Sequence, residues 1–167
     1  MPQQIFNTKL TDVVTSTTAA PRQAKEPLGS IRWQGNKCYK YVKLDNDSAT
    51  VASVANDPVA YKAATGHSIN TVVSDVTDAD AVEVLAGTLQ AACAGLHTGG
   101  TVYYLWIQIK GSVVINQAIA GTTPADGEVV CMDNLDETLD LRAAAEQDTF
   151  AVCQSVTGKL IILDCPF

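Results

Sequence analysis

The chain has 167 residues, 47% of them hydrophobic, which is enough for one domain with its own core and too few for two full-sized ones. It holds no run of about 18 apolar residues, and residues 1–28 lack the apolar centre of a signal peptide, so neither membrane spanning nor export is expected. The net charge of −7 is unevenly divided: residues 1–43 hold seven basic and two acidic residues, a balance of +5, while residues 44–167 hold four basic and sixteen acidic, a balance of −12. The acidic body would repel phosphates, so nucleic acid is not expected as a partner, and the basic front end suits an acidic protein surface.

Residues 1–28 carry few large apolar side chains and two prolines, Pro21 and Pro27, too little to fold alone. They are read as an extended arm preceding a domain over residues 29–167, with Ile5, Phe6, Lys9, Leu10, Arg22 and Lys25 as its docking candidates. Ser30–Gln34 and Lys37–Leu44 flank Gly35-Asn36, a pair suited to the positive φ angles of a tight hairpin. In the second strand, Tyr39 and Tyr41 alternate with Cys38, Lys40, Val42 and Leu44, so the tyrosine face is either an interface or a half-covered sheet surface. Ala49–Ala55 is a further short strand. Asp57-Pro58 reads as an N-cap and first turn of a short helix over Pro58–Ala64, ended by Gly66.

Between Asp75 and Cys93 the alanine-rich stretch favours helix by propensity, although Val82, Val84 and Ala86 also alternate and Gly87 would fall in the helix interior. Thr101–Lys110 is the strongest strand: Val102, Tyr104, Trp106 and Gln108 alternate with Tyr103, Leu105, Ile107 and Ile109, which implies burial on both faces. Gly111-Ser112 is expected to turn into Val113–Ile119. Glu128–Met132, Thr149–Val156 and Lys159–Leu163 complete the strands, the last two joined at Thr157-Gly158, with Asp133–Gln147 left as helix, loop or short edge strand. Many short strands at this spacing predict an all-β fold, a compact barrel or sandwich with at most short helices.

Catalytic groups are sparse in the sequence. His67 and His97 lie in predicted loops without a partnering nucleophile, and no serine sits in a GxSxG elbow. Asp126, Glu128 and Asp133 lack the spacing of a calcium loop and are read as a solvated acidic face. The five cysteines, Cys38, Cys93, Cys131, Cys153 and Cys165, are odd in number and form no CxxC pair, so they are read as buried thiols with no metal and no cofactor. A non-catalytic binding protein is the expectation.

The run Tyr104-Leu105-Trp106-Ile107-Gln108-Ile109-Lys110-Gly111, followed by Ala118-Ile119-Ala120-Gly121 and Asp126-Gly127, resembles the head-decoration, or cement, proteins of tailed bacteriophages, with their W-[IV]-Q-x-[KR]-G strand. Gly29-Ser30-Ile31-Arg32 through Lys37-Cys38-Tyr39-Lys40-Tyr41-Val42 is similar to their opening hairpin, and Asp57-Pro58-Val59-Ala60-Tyr61 to their connector. The resemblance spans about residues 29–130. It implies a commonly trimeric β protein on the capsid exterior, made in the host cytoplasm, that clamps neighbouring major capsid protein subunits. It also implies that Val82–Gln90 is a strand, against helix propensity. On this reading the arm binds the capsid, and Tyr39, Tyr41 and Tyr103 are candidates for the oligomer interface. The alternative is a carbohydrate-binding or host-adhesion module on the virion surface, with the same three tyrosines lining its groove.

Overall fold

The computed structural model describes residues 5–45, 53–62, 70–74, 81–93, 101–116, 125–132, 139–141 and 151–165, with the backbone alone at 81–83, 131–132 and 140–141. The described residues are all-β, with strands β1 (Val14–Ser16), β2 (Ile31–Gln34), β3 (Lys37–Leu44), β4 (Pro58–Lys62), β5 (Thr71–Val73), β6 (Ala81–Leu89), β7 (Val102–Val114), β8 (Val129–Met132), β9 (Leu139–Leu141), β10 (Ala151–Ser155) and β11 (Leu160–Asp164). They join one mixed sheet in the order β2-β3-β5-β4-β6-β7-β11-β10-β8-β9. β3 also pairs with β7, so β3, β5, β4, β6 and β7 form a closed circuit of hydrogen-bonded strands. Closure leaves those strands fewer free edges, the part of a sheet most open to unwanted pairing.

β7 is the spine. Tyr103 and Tyr104 pair with both β3 and β1, Ile107 and Gln108 with both β3 and β6, and Lys110 with both β3 and β11. A strand has only two edges, so β3 holds one while β1, β6 and β11 follow one another along the other. The alternation in β7 aims Tyr103, Leu105, Ile107 and Ile109 into the main core, where they meet Cys38, Val42 and Leu44 of β3 and Ile161 and Leu163 of β11. Trp106 points to the opposite face and joins Tyr39 and Tyr41 in a second, aromatic cluster. Burial on both faces, expected for this strand, is observed over Leu105–Ile109.

The opening hairpin forms as expected, with Ile31 paired to Lys40 and Gln34 to Lys37. Only Gly35 takes a positive φ, +61°, and Asn36 does not, the pattern of a II′ turn with glycine at its first central position. Three expectations are corrected. Pro58–Lys62 is not helix: Asp57 closes a turn, its carboxylate accepting from the Val54 amide at 2.6 Å, and Pro58 opens strand β4, while Ala63, Ala64 and Gly66 lie outside the described residues. Proline suits a first strand position because no ladder donor is lost there, and Val59 and Tyr61 are strand formers. Helix propensity also fails over Ala81–Leu89, which is the strand that the resemblance implies. Pairing with β4 on one edge and β7 on the other outweighs alanine content, and Gly87, at φ +150°, has no helical conformation.

Gly111-Ser112, in turn, does not make a turn. β7 runs through it to Val114, and Gly111 takes φ +93° where the strand passes close to Asn36 and Lys37. The acidic stretch after Met132 supplies β9, the short strand at the end of the sheet order. The β10–β11 hairpin closes over Val156–Lys159, with the positive φ on Lys159. Of Ala49–Ala55, residues 49–52 lie outside the described residues, and 53–55 are not strand.

Candidate interaction surface

Residues 5–28 hold the short strand β1 and turns at Lys9–Asp12 and Thr17–Ala20, and they lie against the rest of the chain. Phe6 packs edge-on against Trp106, with ring centroids 5.3 Å apart, and Leu10, Ala24 and Tyr104 pack against the same aromatic cluster. Polar groups fix the register of this contact. The Trp106 indole N–H donates to Thr8 Oγ1 at 2.9 Å, and the Thr8 hydroxyl donates to Glu26 Oε1 at 3.1 Å. The same carboxylate oxygen accepts from the backbone amides of Asn7 and Thr8. Arg32 of β2 donates to the Thr8 carbonyl at 3.2 Å and sets its guanidinium 5.3 Å from the centre of the Phe6 ring. β1 then adds the arm to the sheet through Val14–Tyr104, Thr15–Tyr103 and Ser16–Val102.

This places the nine singled-out residues in different environments. Ile5, Lys9, Arg22 and Lys25 are exposed, whereas Phe6 and Leu10 are half-buried against the domain. Tyr39, Tyr41 and Tyr103 are buried inside this single chain, at 5%, 0% and 2% exposure. With the arm in place no partner reaches them, because tyrosine alternation marks the sheet face that the arm covers and the face turned to the core. Burial also raises the pKa of the Tyr39 hydroxyl, opposed by the charge of Arg32.

Sequence reasoning passed over Trp33. It stands on β2 at 58% exposure, beside an open groove of about 730 Å³ lined with Phe6, Lys9, Asp12, Ile31 and Arg32. Its exposure follows from its place on β2, the terminal strand of the sheet order, and no periodicity in the sequence marks it, since its partner Cys38 is fully buried. The groove is predominantly polar and carries two cations against one carboxylate.

A second exposed surface continues the face that the arm covers. Register puts Val114 of β7 beside Leu160 of β11, Ile162 of β11 beside Val152 of β10, and Val152 beside Val129 of β8. Val114, Val152 and Ile162 are exposed at 55%, 37% and 37%. Asp164 stands at one end of this aliphatic strip, ion-paired with Lys110, and Asp126 and Glu128 are exposed at the β8 margin.

Cys38, Cys93, Cys153 and Cys165 are buried, and burial raises the pKa of Cys38, Cys153 and Cys165. The Cys131 side chain, His67, His97 and Asp133 lie outside the described residues. No group of three His, Cys, Asp or Glu side chains positioned to hold a metal occurs among the described residues. Among the described residues Lys40 is a buried cation: it is 2% exposed, its ammonium lies 5.3 Å from the centre of the Tyr61 ring, and burial lowers its pKa, opposed by Cys165. Neither a scan against protein-family models nor a search of curated proteins finds a match for this chain.

Proposed function

We propose that this chain is a structural, non-catalytic virion protein that decorates the exterior of a tailed-phage capsid, self-associates as a homotrimer and bridges neighbouring major capsid protein subunits. The observation that carries the reading is the strand Tyr104–Gly111, whose Trp-Ile-Gln-Ile-Lys-Gly sequence resembles the cement-protein strand. That strand is the spine of an all-β domain, the architecture the resemblance implies. Arg22 and Lys25 are exposed on the arm and make no ion pair among the described residues, so they are available to an acidic shell surface. Several modest contacts per oligomer give slow release, because each is held at high effective concentration by the others. The carbohydrate-binding alternative is weakened by the burial of all three of its candidate tyrosines.

The test is addition of the purified chain to undecorated heads of the phage that encodes it. Binding at regular sites, with a rise in the temperature at which the heads release DNA, is the expected result. Arg22→Glu with Lys25→Glu is expected to weaken binding at least tenfold without unfolding the domain. Heads that neither bind the chain nor gain stability would remove the capsid from the reading.

A further inference from the structure

The large apolar side chains exposed among the described residues fall into two groups. Ile5, Leu28 and Trp33 stand in the arm and β2, within the part of the chain that carries +5. Val114, Val152 and Ile162 stand on β7, β10 and β11, within the part that carries −12. We propose that these two surfaces bind each other between copies: the Trp33 groove of one chain seats on the aliphatic strip of the next, in head-to-tail self-association. This inference rests on the proposed self-association and specifies its surfaces.

Three observations lead to a second copy as the occupant. Charge is complementary in balance, since Lys9 and Arg32 outnumber Asp12 in the groove while Asp126, Glu128 and Asp164 outnumber Lys110 and Lys159 at the margins of the strip. Apolar side chains stand on both sides, Trp33 at the otherwise polar groove and Val114, Val152 and Ile162 on the strip, and their burial favours association. Continuity is the third. The outward face of β7 is covered by the arm at Tyr104 and Trp106, and the same face runs on uncovered through Ser112 and Val114 to β11, β10 and β8. The neighbour's arm-and-β2 surface would complete the covering that the chain's own arm begins.

Where each chain meets one neighbour through its groove and another through its strip, the contact is heterologous and closes into a ring of three or more copies; a two-fold dimer would instead need both pairs of patches to meet across one axis. The ring is the form that the proposed homotrimer takes, and the dimer is the outcome that the measurement of mass excludes.

The experiment measures mass in solution by light scattering on the full chain. Wild type is expected at three or more times the chain mass of 17.6 kDa. Trp33→Glu sets an acid against the acidic margin of the strip and Ile162→Lys sets a cation against the Lys9–Arg32 groove; both positions are exposed, and each variant is expected to fall to the mass of one chain. Mixed in equal amounts, they are expected to form a species of two chains, because each supplies the patch the other lacks. Lys9→Glu, a milder change, is expected to raise the concentration for assembly about tenfold. Circular dichroism confirms that each variant is folded. A wild-type multimer unchanged by these substitutions, or a mixture that stays monomeric, overturns the head-to-tail contact and leaves self-association standing. A wild-type monomer overturns both, and a wild-type dimer overturns the ring, whatever the heads bind.

Discussion

Thr8→Val is the most direct test of how the arm is held. The substitution keeps the shape of the side chain and removes a hydroxyl that accepts from the Trp106 indole and donates to Glu26. The loss of a hydrogen bond to a carboxylate is worth about 1.5 kcal/mol at the lower end of its range, because Glu26 Oε1 keeps two backbone donors. Trp106 is fully buried, and its stranded N–H costs about 1.5 kcal/mol more. The added methyl recovers roughly 1 kcal/mol by burial, which leaves a net loss of about 2 kcal/mol. Urea denaturation followed by tryptophan fluorescence measures it, with Trp33→Phe as the background so that the signal comes from Trp106 alone. Thr8→Ser, which retains both hydrogen bonds, should lie between the parent and Thr8→Val. A Thr8→Val protein within about 0.5 kcal/mol of its parent, the range of ordinary surface changes, would refute the latch.

Gly87→Ala should destabilise the domain by roughly 3 kcal/mol, since the backbone sits at φ +150° and the new Cβ would lie 2.4 Å from the Gln108 carbonyl oxygen; thermal unfolding reads this. Thr88→Val should stabilise it by about 1 kcal/mol in the same assay, because the Thr88 hydroxyl is buried without a hydrogen-bond partner. Lys40→Met should raise stability at neutral pH, and the sign follows from the lowered pKa of the folded-state ammonium. Below that pKa both states are protonated and the burial penalty is complete. Between it and the ordinary lysine value of 10.5 the unfolded state holds more protons, so the penalty shrinks as pH rises. The advantage of Lys40→Met over wild type, measured by denaturation across pH, should therefore decline towards pH 10.5. An advantage that grows with pH would show that Lys40 is not the buried charge described.

The β core was legible where side-chain alternation was strong. Trp106 and its neighbours in β7 announced burial on both faces, and Gly35 announced the hairpin. Local signals failed where tertiary pairing set the outcome: Ala81–Leu89 is helix-prone by itself and becomes a strand because β4 and β7 offer it two edges. Asp57-Pro58 has the chemistry of a helix start, yet the same carboxylate caps a turn equally well. Phe6 was legible as an anchor of the first 28 residues, although its partner is this chain's own Trp106. That partner was not legible, since the link from Thr8 to Trp106 crosses 98 positions and leaves no periodic trace. Trp33 and the Val114–Ile162 strip escaped notice for a related reason. Exposure of an apolar residue depends on where the sheet ends, and composition alone does not record that.

The spine strand also fixes a timetable. β7 borrows its partners from both sides in the sequence: β1, β3 and β6 precede it, and β11 follows it by almost fifty residues. As the chain leaves the ribosome, the circuit from β3 through β6 to β7 can close while Lys110–Val114 still offers its backbone to any strand that arrives. Until β11 is synthesised, that open ladder is the point at which nascent chains would pair with one another, so conditions that slow elongation beyond Val114 should increase aggregation before they reduce the stability of the finished protein.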